Sequence, residues 1–281
     1  MAFAWQKPAG VFSNGPIMSF SEPVQGVLKD CHFIAALSSH AWTSLMRPSL
    51  CGNDGECNLY SFSFYPYSPD SPYRSPAQNV EVSERVWLND SQYWGARSSD
   101  PQEYWPAVYE KAYAAFRLEQ NTDTPDMNVL NTTGNPVISL VHLLGKTPVF
   151  VTNAGLSADA VFGKILQKTR GFKTTLPMAA WTYESENQAP APVTYDTDAL
   201  VANHSYSILG IFNPPTGGHY IVLRNTFGTG AEEPDDGIAH GVWKYEGNPA
   251  GINLDIADGI FALEKTLFHD YFEAFGYVGL H

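Results

Sequence analysis

Cys31 opens the apolar segment CHFIAALSSHAWTSL and follows QGVLKD, so Gln25 lies six positions ahead of it. A thiol becomes a useful nucleophile when its anion is stabilised, and the first turn of a helix supplies unpaired N–H groups and a positive partial charge. The placement therefore predicts a lowered thiol pKa at a helix start. When such a thiol attacks an amide, the carbonyl oxygen becomes an oxyanion that needs donors already in place. The Gln25 side-chain N–H and the Cys31 backbone N–H are suited to that role.

A thiol nucleophile also needs a base, and eight histidines compete for the role: His32, His40, His142, His204, His219, His240, His269 and His281. His204 has the best context. It introduces the strand-like SYSILGIF, and Asn225 lies late in the next such run, HYIVLRNTF, with the turn-rich NPPTGG between them. With residues 213–218 as the connection, an antiparallel hairpin brings His204 and Asn225 onto neighbouring strands, within two positions of being opposite. An amide oxygen there accepts a hydrogen bond from the imidazole and fixes its tautomer. Taken singly, a buried cysteine or a His/Asn pair beside a turn is usually structural. The combination of Gln25, Cys31, His204 and Asn225 in this chain order is what points to nucleophilic catalysis.

The elements that must hold these residues are legible in the periodicity. CHFIAALSSHAWTSL sets Phe33, Ile34, Leu37, Ala41, Trp42 and Leu45 at helical spacing, and EYWPAVYEKAYAAF predicts a second helix with Pro106 near its start. Between them NLYSFSF and NVEVSERVWL read as strands, separated by the proline-rich loop YPYSPDSPYRSPA. Asn, Gly and Pro in NTTGNP, residues 131–136, mark a lobe boundary. Beyond it AVFGKILQKTRGF reads as helix, and SYSILGIF, HYIVLRNTF, GVWKYEG and GIFALE read as strands. A helix-rich half before a strand-rich half predicts an α+β protein with a cleft between two lobes.

Composition bounds the partners. With 281 residues and 44% hydrophobic content the chain can bury a sizeable core. Its 16 basic and 29 acidic side chains give a net charge of -13, which repels nucleic-acid phosphates and anionic lipid and suits cationic substrates or metal ions. The N-terminus lacks a secretory pattern and no run of about 18 apolar residues occurs, so the expectation is a cytoplasmic protein without a membrane span. Three cysteines are too few for a disulfide framework, although Cys51 and Cys57 are near enough in sequence to pair in an oxidising compartment. Asn131 in NTT would accept a glycan only under secretion.

Several segments resemble the protease core of the calpains, a branch of the papain-like cysteine peptidases. QGVLKDCHFIAAL resembles QGxLGDCWxLAA, EYWPAVYEKAYAAF resembles EFWxxLLEKAYAK, HSYSILGIF resembles HAYSVxxV, VLRNTFG resembles RLRNPWG, and DGIFALEKTLF resembles DGEFWMSFxDF. The likeness runs over roughly residues 20–272. It implies a papain-like two-lobed fold, with a helical lobe of residues 1–135 carrying the nucleophile and a strand-rich lobe of residues 136–281 carrying His and Asn. It also implies Cys31 as nucleophile, His204 as base, Asn225 as orienting amide and Gln25 as oxyanion donor, acting on protein or peptide substrates without an organic cofactor.

Three positions depart from the pattern: Lys29 for Gly, His32 for Trp and Phe227 for the Trp of NPWG. The family implies a part for that last Trp in blocking the inactive cleft, so control is expected to differ here. The resemblance further implies a calcium site in each lobe. In the helical lobe Glu22 and Glu103 match family ligands. In the other, Asp258 matches one, whereas Ile260 and Ala231 replace acids, with Glu232 and Glu233 nearby. Two alternatives to hydrolysis stand beside this reading: acyl transfer by the same triad to an amine, and a decayed peptidase that only binds.

Overall fold

The computed structural model describes residues 3–70, 75–195, 199–215, 217–229, 237–255 and 259–279. Five α-helices lie among them: α1 (Cys31–Thr43), α2 (Trp105–Arg117), α3 (Pro136–Leu144), α4 (Ala158–Leu166) and α5 (Lys265–Tyr271). Most of the second half of the chain folds onto one antiparallel sheet, beside which Val242–Tyr245 and Asn248–Asn253 pair as a separate two-stranded sheet. Along its main path the strands run in the order Ile238–Ala239, Ile260–Glu264, Tyr220–Asn225, Ser205–Phe212, Met178–Thr182, Phe272–Gly279 and Thr147–Thr152. Smaller sheets in the first half include the Leu50–Asn53, Asn58–Phe64 and Gln78–Ser83 strands. The molecule is α+β.

α1 explains how the two halves are joined. Every residue from Cys31 to Ser39 is buried, so this helix is enclosed rather than amphipathic. Its polar side chains are spent on the sheet. Ser39 Oγ accepts from the Met178 N–H at 2.7 Å and donates to the Met178 carbonyl at 2.8 Å. Trp42 Nε1 donates to the Leu209 carbonyl at 2.8 Å, Ser207 Oγ donates to the Ala35 carbonyl at 2.7 Å, and Arg224 Nη1 donates to Ser38 Oγ at 2.9 Å. Buried hydroxyls left unpaired would be costly, and these pairs fix how far along the sheet the helix can slide.

On its other side α1 meets α2 and α3 in an apolar cluster with Phe33, Leu37, Val108, Tyr113, Val137, Leu140 and Val141. Phe33 and Tyr113 stack with ring centroids 4.0 Å apart. A second cluster, with Ile165, Tyr206, Leu223, Phe261 and Phe275, fills the space between the sheet, α4 and α5.

Several sequence expectations are met element by element: α1 and α2 fall where the apolar spacing puts them, and Pro106 sits in the first turn of α2. Others change. AVFGKILQKTRGF is helical only as far as Leu166, because Gly171 and Phe172 take left-handed backbone angles (φ 52° and 70°) and turn Thr169–Arg170 back on Lys173–Thr174. NVEVSERVWL divides into the strands Gln78–Ser83 and Val86–Asn89 around the buried Glu84 carboxylate, which accepts from Tyr104 Oη at 2.6 Å and pairs with Lys7. NTTGNP leads directly into α3, capped by the Asn135 side chain on the Val137 N–H at 2.9 Å and ended by Gly145 at φ 58°. The first half holds more strand than its sequence suggests, and part of the proline-rich separator, residues 71–74, lies outside the described residues.

Candidate active site

The hairpin register is the one the sequence predicts. Tyr206 is opposite Asn225 and Ser207 opposite Arg224, which leaves His204 two residues before the partner of Asn225. His204 itself stands just outside the strand and is pinned through its backbone. Its N–H donates to Thr182 Oγ1 at 3.0 Å, and its carbonyl accepts the Thr182 N–H at 3.0 Å. The chain reaches it through Asn203 at φ 51°, a left-handed angle that Asn tolerates better than most residues.

The side chains meet as follows. His204 Nε2 lies 2.9 Å from Asn225 Oδ1, and the Phe227 backbone N–H donates to that same oxygen at 3.0 Å. An amide oxygen only accepts, so the proton resides on Nε2 and Nδ1 is left as the basic nitrogen. The Phe227 ring lies against the imidazole with centroids 4.4 Å apart. Cys31 and His204 both line one cavity of about 200 Å³, together with Gly134, Asn135, Trp181, Asn203, Ser205, Glu184 and Glu273. Gln25 is buried beside the strand end, its backbone N–H donating to the Thr226 carbonyl at 2.8 Å. Gly26 must be glycine there, because a Cβ would stand 2.1 Å from the Gly95 carbonyl oxygen.

The electrostatics correct one expectation. Cys31 does begin a helix, but the residue is only 7% exposed, and burial pushes the thiol pKa up, against the lowering effect of hydrogen bonding to Ser205. The charge of the adjoining Asp30 pushes in the same direction as burial. Desolvation of the anion outweighs the helix terminus. Burial likewise depresses His204 to about 4, opposed by its bond to Asn225. Burial thus favours the thiol on Cys31 and the neutral imidazole on His204, each taken by itself.

Beneath the helix start lies a feature the sequence reading missed. Asp30 and Glu110 are fully buried against each other, and Glu110 Oε1 accepts from the Ala96 N–H at 2.9 Å. Burial raises Asp30 to about 7, and burial together with the Asp30 charge raises Glu110 well above the usual carboxylate range. Both carboxyls are thus driven toward the protonated form, and both Asp30 oxygens are buried without a hydrogen-bond partner. His32, next to Cys31, is also neutral, depressed to about 3 by burial, with Nδ1 2.7 Å from Ser139 Oγ.

Glu22 and Glu103 are brought together. Glu22 Oε2 accepts from Trp105 Nε1 at 2.5 Å, Glu103 Oε1 accepts from the Asn14 N–H at 2.6 Å, and Glu103 Oε2 is buried without a hydrogen-bond partner. Burial raises Glu22 to about 7, and Glu103 adds to the rise. Two hard carboxylates with an orphaned buried oxygen suit an oxygen-seeking cation. Among the described residues no group of three or more acidic, His or Cys side chains is arranged to hold a metal, so backbone oxygens would have to complete such a site. Asp258, Ala231, Glu232 and Glu233 lie outside the described residues, and Ile260 is a buried strand residue. Cys51 is exposed, Cys57 is buried, and both thiols are free.

Ser205 and Thr226, both bonded to site residues, also escaped the sequence reading. The strand ends at Asn225 and the chain turns, so Thr226 faces the site instead of alternating away from it.

A helix-borne cysteine and a histidine on one cavity of an α+β chain, with a buried amide held to the imidazole, are the arrangement of a papain-like cysteine peptidase. The chain belongs to the calpain family of cysteine proteases, whose family model matches residues 1–275. It is 26% identical over 287 residues to a thiol protease of Porphyromonas gingivalis (strain ATCC BAA-308 / W83), covering 97% of this chain and 57% of that protein. Over 119 residues it is 26% identical to calpain clp-4 of Caenorhabditis elegans, covering 39% of this chain and 16% of that protein. The chain thus spans little more than half the length of the first relative. No helix among the described residues is long and apolar enough to cross a membrane.

Proposed function

We propose that the chain is a cysteine endopeptidase that hydrolyses peptide bonds in protein or peptide substrates through a thioester on Cys31. The observation that carries this reading is the opening of Cys31 and His204 onto one cavity, with Asn225 Oδ1 2.9 Å from the far nitrogen of the imidazole. Cys31 Sγ attacks the carbonyl carbon as its proton passes to His204 Nδ1. The carbonyl oxygen then carries the negative charge, held by a Gln25 side-chain N–H and the Cys31 backbone N–H. Collapse expels the amine, which takes the proton from His204 and leaves the thioester. Water attacks that thioester, His204 removes its proton and returns it to sulfur, and a free acid departs.

The cleft of this reading lies between a helical lobe of residues 1–135 and a strand-rich lobe of residues 136–281. It is supported by separate apolar clusters, one built largely from residues before 145 and another wholly from residues after 160. Calcium is the cation that Glu22 and Glu103 would hold. Bound there it would neutralise two facing carboxylates next to the strand that leads into Gln25.

The test is labelling with an electrophilic peptide analogue, mapped by mass spectrometry, alongside turnover of a peptide library. Label on Cys31 and turnover lost in Cys31→Ala support the reading; turnover by Cys31→Ala removes it. Added amines decide between hydrolysis and acyl transfer, since only the latter yields an amide product.

A further inference from the structure

Thr226 is fully buried between the oxyanion donor and the base. Its Oγ1 lies 2.9 Å from Gln25 Oε1 and 3.0 Å from His204 Nε2. The donors and acceptors at these contacts can be assigned without ambiguity. Gln25 Nε2 faces the Leu28 carbonyl at 2.6 Å, and a carbonyl only accepts, so Oε1 is the atom turned to Thr226. A threonine hydroxyl has one hydrogen, and Gln25 Oε1 takes it. The hydroxyl oxygen is then an acceptor towards His204, so Nε2 faces two acceptors, Thr226 Oγ1 and Asn225 Oδ1, and must carry the proton. On the glutamine, Oε1 is held by Thr226 and one N–H by Leu28, and the second N–H remains for an oxyanion.

We propose that Thr226 is a positioning residue whose single hydroxyl couples the two halves of the machinery, accepting the His204 Nε2–H alongside Asn225 while it aims the Gln25 amide. The inference rests on the peptidase reading for its kinetic consequence, though not for its geometry. Neither a proline nor a valine at this position could make the bridge. A serine could.

The experiment compares Thr226→Val, Thr226→Ala and Thr226→Ser with the unaltered chain, in the same peptide assay and by long-range nitrogen–proton NMR of the His204 ring. Losing the bridge leaves Asn225 and Leu28 in place, so the expected fall in kcat is smaller than for outright loss of an oxyanion donor, roughly 10- to 100-fold, with KM little changed. Thr226→Ser is expected within about threefold of the unaltered chain, since the hydroxyl is kept. Adding Gln25→Ala to Thr226→Val should cost far less than the product of the two single effects, because both act through one amide. In the NMR spectrum His204 should be the Nε2–H tautomer throughout, since Asn225 Oδ1 still accepts that proton, and its Nε2–H resonance should move when the second acceptor is lost in Thr226→Val or, if that variant does not fold, in Thr226→Ala. Unchanged kcat in the folded apolar variants, equal losses in valine and serine variants, or fully multiplicative effects with Gln25→Ala would each overturn the proposal. Should the unaltered chain turn over no peptide, the peptidase reading falls and the ring resonances decide Thr226 alone. A His204 Nε2–H resonance that is unmoved in the apolar variant refutes the coupling.

Discussion

Cys31 and His204 are each held in the uncharged state by burial, and that sets the pH dependence to expect. His204 is a base only while unprotonated, and burial depresses it to about 4. kcat/KM should therefore fall as the pH drops through about 4, not through the 6.5 of an exposed imidazole, and a profile of kcat/KM against pH on a neutral peptide measures this. Asn225→Ala should leave measurable turnover, because the amide orients and does not transfer protons, whereas His204→Ala should be nearly as damaging as Cys31→Ala. The carboxylates Glu22 and Glu103 make a separate prediction. Calorimetric titration with calcium should lose one binding event in the Glu22→Ala, Glu103→Ala double variant. Unchanged heats would remove that site.

At the scale of elements, α1 is the part on which the site depends, and its supports can be tested singly. Ser39→Ala removes both bonds to the Met178 backbone and leaves a buried N–H and carbonyl without their partner, so it should cost about 1–3 kcal/mol in a denaturant melt. The carboxyl pair below the helix start acts on stability through pH. Asp30 is raised to about 7 in the folded chain, so between its unfolded value of 3.8 and about 7 the folded state holds a proton that the unfolded state has released. Stability from this pair is therefore present at low pH and is lost as the pH rises through that window. Glu110→Gln keeps the acceptor for the Ala96 N–H and supplies a permanent donor to Asp30. Relative to the unaltered chain, it should flatten the decline in Tm between pH 5 and 7.5. An unchanged slope would mean the two carboxyls do not titrate as a pair.

For the whole molecule, on the proposed peptidase reading, a net charge of -13 and a cavity that Glu184 and Glu273 line together with Cys31 would favour cationic substrates at both long and short range. Attraction over a distance is screened by salt, with a Debye length of about 10 Å at 0.1 M. Peptides with Lys or Arg near the scissile bond should lose kcat/KM steeply between low and high salt, while neutral peptides change little. The measurement is a pair of salt series. Equal slopes for the two peptides would show that the acidic surface has no part in substrate choice.

The sequence by itself determined what depends on local spacing. A cysteine at the head of an apolar helix, Gln25 six residues earlier, and a hairpin register that seats Asn225 opposite Tyr206 are all properties of short segments, and so they were readable. α3 was hidden because its cap and stop, Asn135 and Gly145, also read as loop punctuation. Tertiary structure decided everything that turns on enclosure. The thiol pKa rises where the helix start alone predicts a fall, because desolvation depends on what is packed over Cys31. Asp30 raises the Glu110 carboxyl, and Thr226 bridges Gln25 to His204, because side chains 80 and 201 residues apart meet only once the whole chain has closed around them.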